Sequence, residues 1–240
     1  MTAARGNVSA VATSRTGALL SATGLVKSFG PTPALRGADF SIRAGEIVAV
    51  MGPSGSGKST LLHCVAGILH ADSGSVTYAG RELGAMSDRE RSELRRKEFG
   101  FVFQFGQLIP ELTCRQNVSM PLRLDGLSRK AAELVADQWL ERLDVAAVGR
   151  QLPGQVSGGQ AQRVAVARAL IGGPSVIFAD EPTGALDSLQ GEKVMGLLTR
   201  AVRETGASLV LVTHESRVAA YSDREVIVRD GLTSESVRDR

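Results

Sequence analysis

Three stretches of this sequence carry residue types that could handle a polyphosphate. The first is GPSGSGKST at 52–60. It follows the spacing G-x-x-x-x-G-K-[ST], in which glycines let successive backbone N–H groups turn inward on phosphate oxygens. Lys58 is placed to reach the outer phosphates, and Ser59 to offer its hydroxyl to Mg²⁺. The second is VIFADE at 176–181, an apolar run closed by two adjacent acids, Asp180 and Glu181. Neighbouring side chains of a strand point to opposite faces. At the strand's end one acid can therefore hold a metal while the other polarises an attacking water; a pair of solvated strand-end acids is the plain alternative. The third is VSGGQ at 156–160, a second glycine-hinged turn that runs straight into a helical stretch. One small chain thus holds two cradles suited to anions, about a hundred residues apart.

The elements around these motifs decide whether they can work. EIVAVM at 46–51 predicts a buried strand and KSTLLHCVAGIL at 58–69 a helix, which puts the first cradle at a helix N-terminus. SVTYAG is β-rich, residues 87–97 read as a charged surface helix, and FGFVFQ at 99–104 as a strand entering an irregular apolar loop. Residues 128–143 predict an amphipathic helix capped by Ser128, with Trp139 on its apolar face. QAQRVAVARALI is helical up to GGP; strands at 176–180, 208–213 and 224–230 follow, with helices near 188–204 and 215–221. Apolar strands alternating with helices predict an α/β fold whose mainly parallel core sheet is covered on both faces. Residues 21–48 would form an N-terminal antiparallel β subdomain, and about 90–170 an inserted α-helical subdomain. Residues 1–20, poor in acids and rich in Ala, Ser, Thr and Arg, read as a disordered extension ahead of one domain at 21–240, with a transit peptide as the alternative.

Composition narrows the partners. With 43% hydrophobic and 22% charged residues the sequence is that of a globular protein, and no apolar stretch nears the roughly 18 residues needed to cross a bilayer. A net charge of +3 without a dense basic run gives no footing for nucleic acid. Cys64 and Cys114 show neither metal-ligand spacing nor a disulfide framework, which fits a reducing setting.

Taken together, the motifs resemble the ATP-binding cassette family, the motor subunits of ABC transporters, over residues 21–232. The resemblance implies a P-loop NTPase fold, ATP and Mg²⁺ as ligand and cofactor, and ATP hydrolysis as the activity. It assigns nucleotide contacts to Gly52, Pro53, Ser54, Gly55, Ser56, Gly57, Lys58, Ser59 and Thr60, and the metal to Ser59, Gln104 and Asp180. VSGGQ looks like the family signature, with Val156 where leucine is usual, and brings in Ser157, Gly158, Gly159 and Gln160. Gln104 in FVFQ resembles the glutamine that links Mg²⁺ and the attacking water to the transporter interface. ALDS at 185–188 resembles the loop that supplies Asp187 to the dimer contact. Glu181 matches the catalytic glutamate and His214, in VLVTHE, the switch histidine at the γ-phosphate; read alone, a histidine after a strand is structural. Phe29 in VKSFG stands where an aromatic ring stacks on adenine, a core phenylalanine being the alternative.

In that family two cassettes pack head to tail, so each ATP lies between one subunit's Lys58 loop and the other's Ser157–Gly158–Gly159 turn. The implied partner is a second copy or a paralogous cassette. FGFVFQFGQLIPELTCRQNVSMPL is similar to the subgroup serving lipoprotein release, macrolide export and the FtsE-like cell-division ATPases. That likeness implies an integral membrane permease, docked through residues 104–112, and a place on the cytoplasmic face of the membrane. Phe105, Leu108, Ile109 and Leu112 would line a groove for the permease, or else pack locally. A transport motor and a membrane-associated regulatory ATPase both remain open. DNA-repair members need a long coiled coil between the two cradles, and translation members carry two cassettes in one chain, so no nucleic-acid partner is expected.

Overall fold

The computed structural model describes residues 17–236. The N-terminal expectation falls largely on residues 1–16, which lie outside those described; Leu19 is already buried and donates its N–H to Ile42 O.

The chain opens with strands β1 (Leu20–Phe29) and β2 (Thr32–Ile42), then β3 (Ile47–Met51) and helix α1 (Lys58–Val65). Strands β4 (Ser73–Tyr78) and β5 (Arg81–Glu82) precede α2 (Asp88–Glu98), β6 (Phe99–Phe103), α3 (Cys114–Leu124), α4 (Arg129–Arg142) and α5 (Gly158–Leu170). The last third alternates β7 (Val176–Asp180), α6 (Ser188–Thr205), β8 (Ser208–Val212), α7 (Ser216–Ala219), β9 (Arg224–Arg229) and β10 (Leu232–Ser236).

Two sheets result. An antiparallel sheet has the order β2-β1-β4-β5, and a six-stranded sheet the order β10-β9-β3-β8-β7-β6. In the second, β9, β3, β8, β7 and β6 run parallel and β10 closes the edge antiparallel. Continuous apolar strands are what a sheet covered on both faces requires, and alternate residues here do enter different cores. Ile177, Leu209 and Leu211 join the core under α5 and α6, while Phe178, Val210 and Val212 join the core shared with α1 and the antiparallel sheet.

Two features depart from the expected pattern. The stretch 90–170 is not inserted as one helical block: β6 lies within it and pairs with β7 as part of the central sheet. The helical lobe proper is α3 with α4, seated on α5, and Trp139 is buried there. Helix α3 itself contains Pro121, which breaks the periodic pattern and removes a backbone donor. Its start was marked all the same, because Thr113 and Gln116 form a reciprocal capping box. Ser128 caps α4 as predicted, accepting from Ala131 N–H.

Candidate functional site: a nucleotide cradle and a second, outward-facing turn

The parallel strands end at one level. Val50, Val212, Asp180 and Phe103 are successive partners across β3, β8, β7 and β6. Whatever follows each strand therefore converges on the sheet's C-terminal edge, where open parallel sheets bind ligands.

After β3 the chain turns through Gly52 (φ 146°), Gly55 (φ 76°) and Gly57 (φ 106°) into α1. Conformation is half the reason for glycine. A Cβ on Gly52 would sit 2.1 Å from Val228 O, and one on Gly57 2.4 Å from Ala34 O, so the loop is pressed between β9 and β2. No side chain caps α1, which leaves its first-turn N–H groups and positive dipole end directed at the loop's concavity. Lys58 is only 8% exposed, and its Nζ donates to Pro53 O at 2.8 Å. The Ser56 Oγ is buried without a hydrogen-bond partner among the described residues. An ammonium has three donors to place, so a cation and an orphan hydroxyl in a glycine cradle fit a polyanion.

Across from this loop, Ser59 Oγ donates to Asp180 Oδ1 at 3.2 Å. Glu181 sits at φ 48°, in the left-handed region, with its N–H bound to Val212 O. That turn aims its Oε1 at His214 Nδ1, 2.8 Å away, which follows β8. Gln104 follows β6, its side chain packed over Gly184 so closely that a Cβ there would meet Nε2 at 2.8 Å. Phe29 ends β1, is 50% exposed and is no part of the core; the Lys27 ammonium lies 5.8 Å from its ring centroid. Phe29, most of the 53–60 loop, Gln104, Glu181 and His214 line one cavity of about 620 Å³.

The second turn lies elsewhere. Ser157 caps α5, its Oγ accepting from Gln160 N–H at 3.3 Å while Gln160 Oε1 accepts from Ser157 N–H at 2.8 Å. Asp187 caps α6 by accepting from Gln190 N–H at 2.9 Å. A Cβ on Gly159 would meet Gln190 Oε1 at 2.5 Å, so the two helix starts are packed together. Ser157, Gly158 and Asp187 are exposed, and none of Ser157, Gly158, Gly159, Gln160 or Asp187 lines the cavity. The structure gathers the predicted residues into two groups and does not join them within the chain.

A third feature was only partly legible. Of the four apolar loop residues, Phe105 is 74% and Ile109 40% exposed, whereas Leu108 and Leu112 are half-buried, Leu108 packing against the core under α5 and α6. Leu108 is thus a packing residue. The apolar groove that does exist, about 500 Å³, is walled by Ile109, Phe101, Phe103, Met120, Pro121 and Leu124, with Arg168 at its side. Its α3 wall escaped sequence reasoning because Pro121 concealed the helix.

Comparison with known proteins agrees with this geometry. The ABC transporter family model matches residues 35–184. The lipoprotein-releasing system ATP-binding protein LolD of Porphyromonas gingivalis is 42% identical over 214 residues, 89% of this chain and 98% of that protein. The macrolide export ATP-binding/permease protein MacB of Shigella flexneri is 46% identical over 197 residues, but this chain spans only 30% of it. The dimeric, post-hydrolysis structure of the ATP-binding cassette MJ0796 bound to ADP and Pi superposes with TM-score 0.85 at 36% identity, covering 92% of this chain and 99% of that one. The likeness extends well past the matched span, to Phe29 on one side and to Asp187 and His214 on the other. With its two cradles, its sheet order and these relatives, the chain belongs to the ABC transporter family, as an ATP-binding, ATP-hydrolysing cassette.

Proposed function

We propose that this cassette drives a separate membrane permease on the cytoplasmic face of the cell membrane. It works as a head-to-tail dimer with a second copy or a paralogous cassette. The observation that carries this reading is the separation of the two cradles. Phe29, most of the 53–60 loop, Gln104, Glu181 and His214 line one cavity, with Asp180 bonded to Ser59, whereas no residue of the Ser157 turn nor Asp187 lines it, and Ser157, Gly158 and Asp187 are exposed. An outward-facing anion cradle serves another subunit's nucleotide.

Within the cavity Phe29 stacks on the base, and the 52–60 loop wraps the polyphosphate with backbone N–H groups. Lys58 neutralises the outer phosphates. Ser59, Asp180 and Gln104 present a hydroxyl, a carboxylate and an amide oxygen, the hard donor set that suits Mg²⁺. When bound, that ion neutralises charge on the transferring phosphoryl group. Glu181 takes the proton of the attacking water, and His214, within hydrogen-bond reach of its Oε1, fixes the carboxylate's direction. Asp187, Ser157, Gly158, Gly159 and Gln160 close on the partner's nucleotide. The groove beside residues 104–112 takes a segment of the permease. Export fits the names of the LolD and MacB relatives, a lipoprotein-releasing system protein and a macrolide export protein; mechanical transmission is the alternative.

A mixed dimer tests the shared site. Lys58→Ala in one subunit and Ser157→Arg in the other leave one doubly spoiled site and one intact one. Verified mixed dimers are expected to occlude one nucleotide per dimer, while neither variant alone occludes any. Failure of the mixture to trap nucleotide would remove the shared-site reading.

A further inference from the structure

The loop that carries Gln104 is held by side chains that nucleotide chemistry does not account for. Downstream it is anchored on α3, where buried Asn117 accepts from Ile109 N–H at 2.7 Å and donates to Ile109 O and Leu112 O, both at 3.0 Å. Upstream it is anchored on α5. There Gln162 Nε2 donates to Phe103 O at 2.8 Å, and the Arg168 guanidinium forks onto two successive carbonyls. Its Nη2 meets Gly106 O at 2.7 Å and its Nη1 meets Gln107 O at 2.8 Å.

Those carbonyls face the same way because Gly106 (φ 68°) and Gln107 (φ 44°) are both left-handed. Glycine adopts that conformation freely, but a residue with a side chain needs something to hold it there. The guanidinium is the one side chain whose rigid fork supplies two N–H groups at once; a lysine ammonium could take one carbonyl firmly. Arg168 has no carboxylate partner among the described residues, and burial pulls its guanidinium below the usual arginine range. A cation desolvated in order to grip two loop carbonyls indicates a positional constraint.

We propose that Arg168, assisted by Gln162, is a positioning residue for Gln104. Its fork sets the path of the 103–107 loop and hence the aim of the Gln104 amide into the nucleotide cavity. The same side chain borders the apolar groove, so a segment docked there meets the Gln104 loop through Arg168. Helix α5 then serves two nucleotides, presenting Ser157 to the partner's at one end and holding Gln104 for its own near the other. This rests on the reading of Gln104 as a metal and water ligand.

The test is Arg168→Lys, which keeps the charge and loses the fork. ATP affinity should stay within about twofold, while kcat falls about tenfold, the scale of a small misplacement at the reacting centre. Half-maximal turnover should need more Mg²⁺, and amides of 104–109 should exchange faster while α5 stays protected. A Gln104→Ala, Arg168→Lys double variant should be no slower than Gln104→Ala alone. Gln162→Met, which leaves Phe103 O bound to Gly106 N–H, provides a second route with the same direction and a smaller effect. Unchanged loop exchange in both variants, or losses that multiply with that of Gln104→Ala, would overturn the proposal. If the loop loosens but Gln104→Ala itself keeps wild-type turnover and Mg²⁺ dependence, the role of Gln104 is what fails, and the proposal falls with it.

Discussion

The two cradles use the same raw material in different ways. At Gly52 and Gly57 the glycines sit at positive φ and under the carbonyls of Val228 and Ala34, so the loop is compressed from outside into its curve. At Ser157–Gly158–Gly159 the backbone enters α5 with ordinary helical geometry, and Ser157 caps its own helix. The first loop has a buried lysine and an orphan hydroxyl; the second has neither, only the exposed Ser157 and Gly158 at a helix start. A cradle complete within one chain binds nucleotide by itself, whereas one without a cation adds to a nucleotide already held.

The largest expected effect comes from filling the first cradle permanently. Glu181→Gln should bind Mg–ATP normally and hydrolyse it about 10²–10⁴-fold more slowly, the usual worth of a general base. Trapped ATP should then hold a dimer visible by size exclusion; a variant that stays monomeric with ATP, or keeps wild-type rates, would contradict the division of labour. Next comes the asymmetry itself. Lys58→Ala should weaken ATP binding by the isolated chain about 10²-fold, since a charge-assisted contact is worth about 3 kcal/mol. Ser157→Arg should leave that affinity unchanged and abolish only the ATP-dependent dimer. Equal losses of monomer affinity, measured with a fluorescent ATP analogue, would mean that both cradles touch the same nucleotide.

The smallest effects separate packing from docking in the apolar loop. Leu108→Asp sets a charge against the core from a half-buried position and should cost about 1–3 kcal/mol, lowering Tm by roughly 3–10 °C. Ile109→Asp, on the exposed groove wall, should shift stability by less than about 0.5 kcal/mol. It should keep basal ATPase and lose co-purification with the permease. Equal melting temperatures would show that Leu108 is not core; retained co-purification would show that the groove is not the dock.

The motifs could be read because each is a short, local solution to a chemical problem. Five residues between glycine and lysine-serine suffice to wrap a phosphate, and an apolar run closed by Asp180 and Glu181 announces a strand end. Capping residues at Ser128 and Ser157 are equally local, one side chain serving an N–H three residues on. What resisted reading was set by neighbours far along the chain. Helix α3 survives Pro121 because it packs between α4 and α5, and periodicity alone gave no reason to place it. Leu108 and Ile109 are adjacent apolar residues, and no local rule says which packs against the core.

By itself the sequence determined the phosphate cradle, the alternation that makes a parallel sheet, and the presence of a second glycine turn, because these follow from backbone freedom and side-chain period. Tertiary structure decided the rest. Strand register brought Gln104, Asp180, Glu181 and His214 to one edge. Packing of α5 against α6 turned Ser157 and Asp187 outward, away from the chain's own cavity. Arg168 reached Gly106 and Gln107 across some sixty residues of sequence, a contact that exists only once α5 lies against the end of β6.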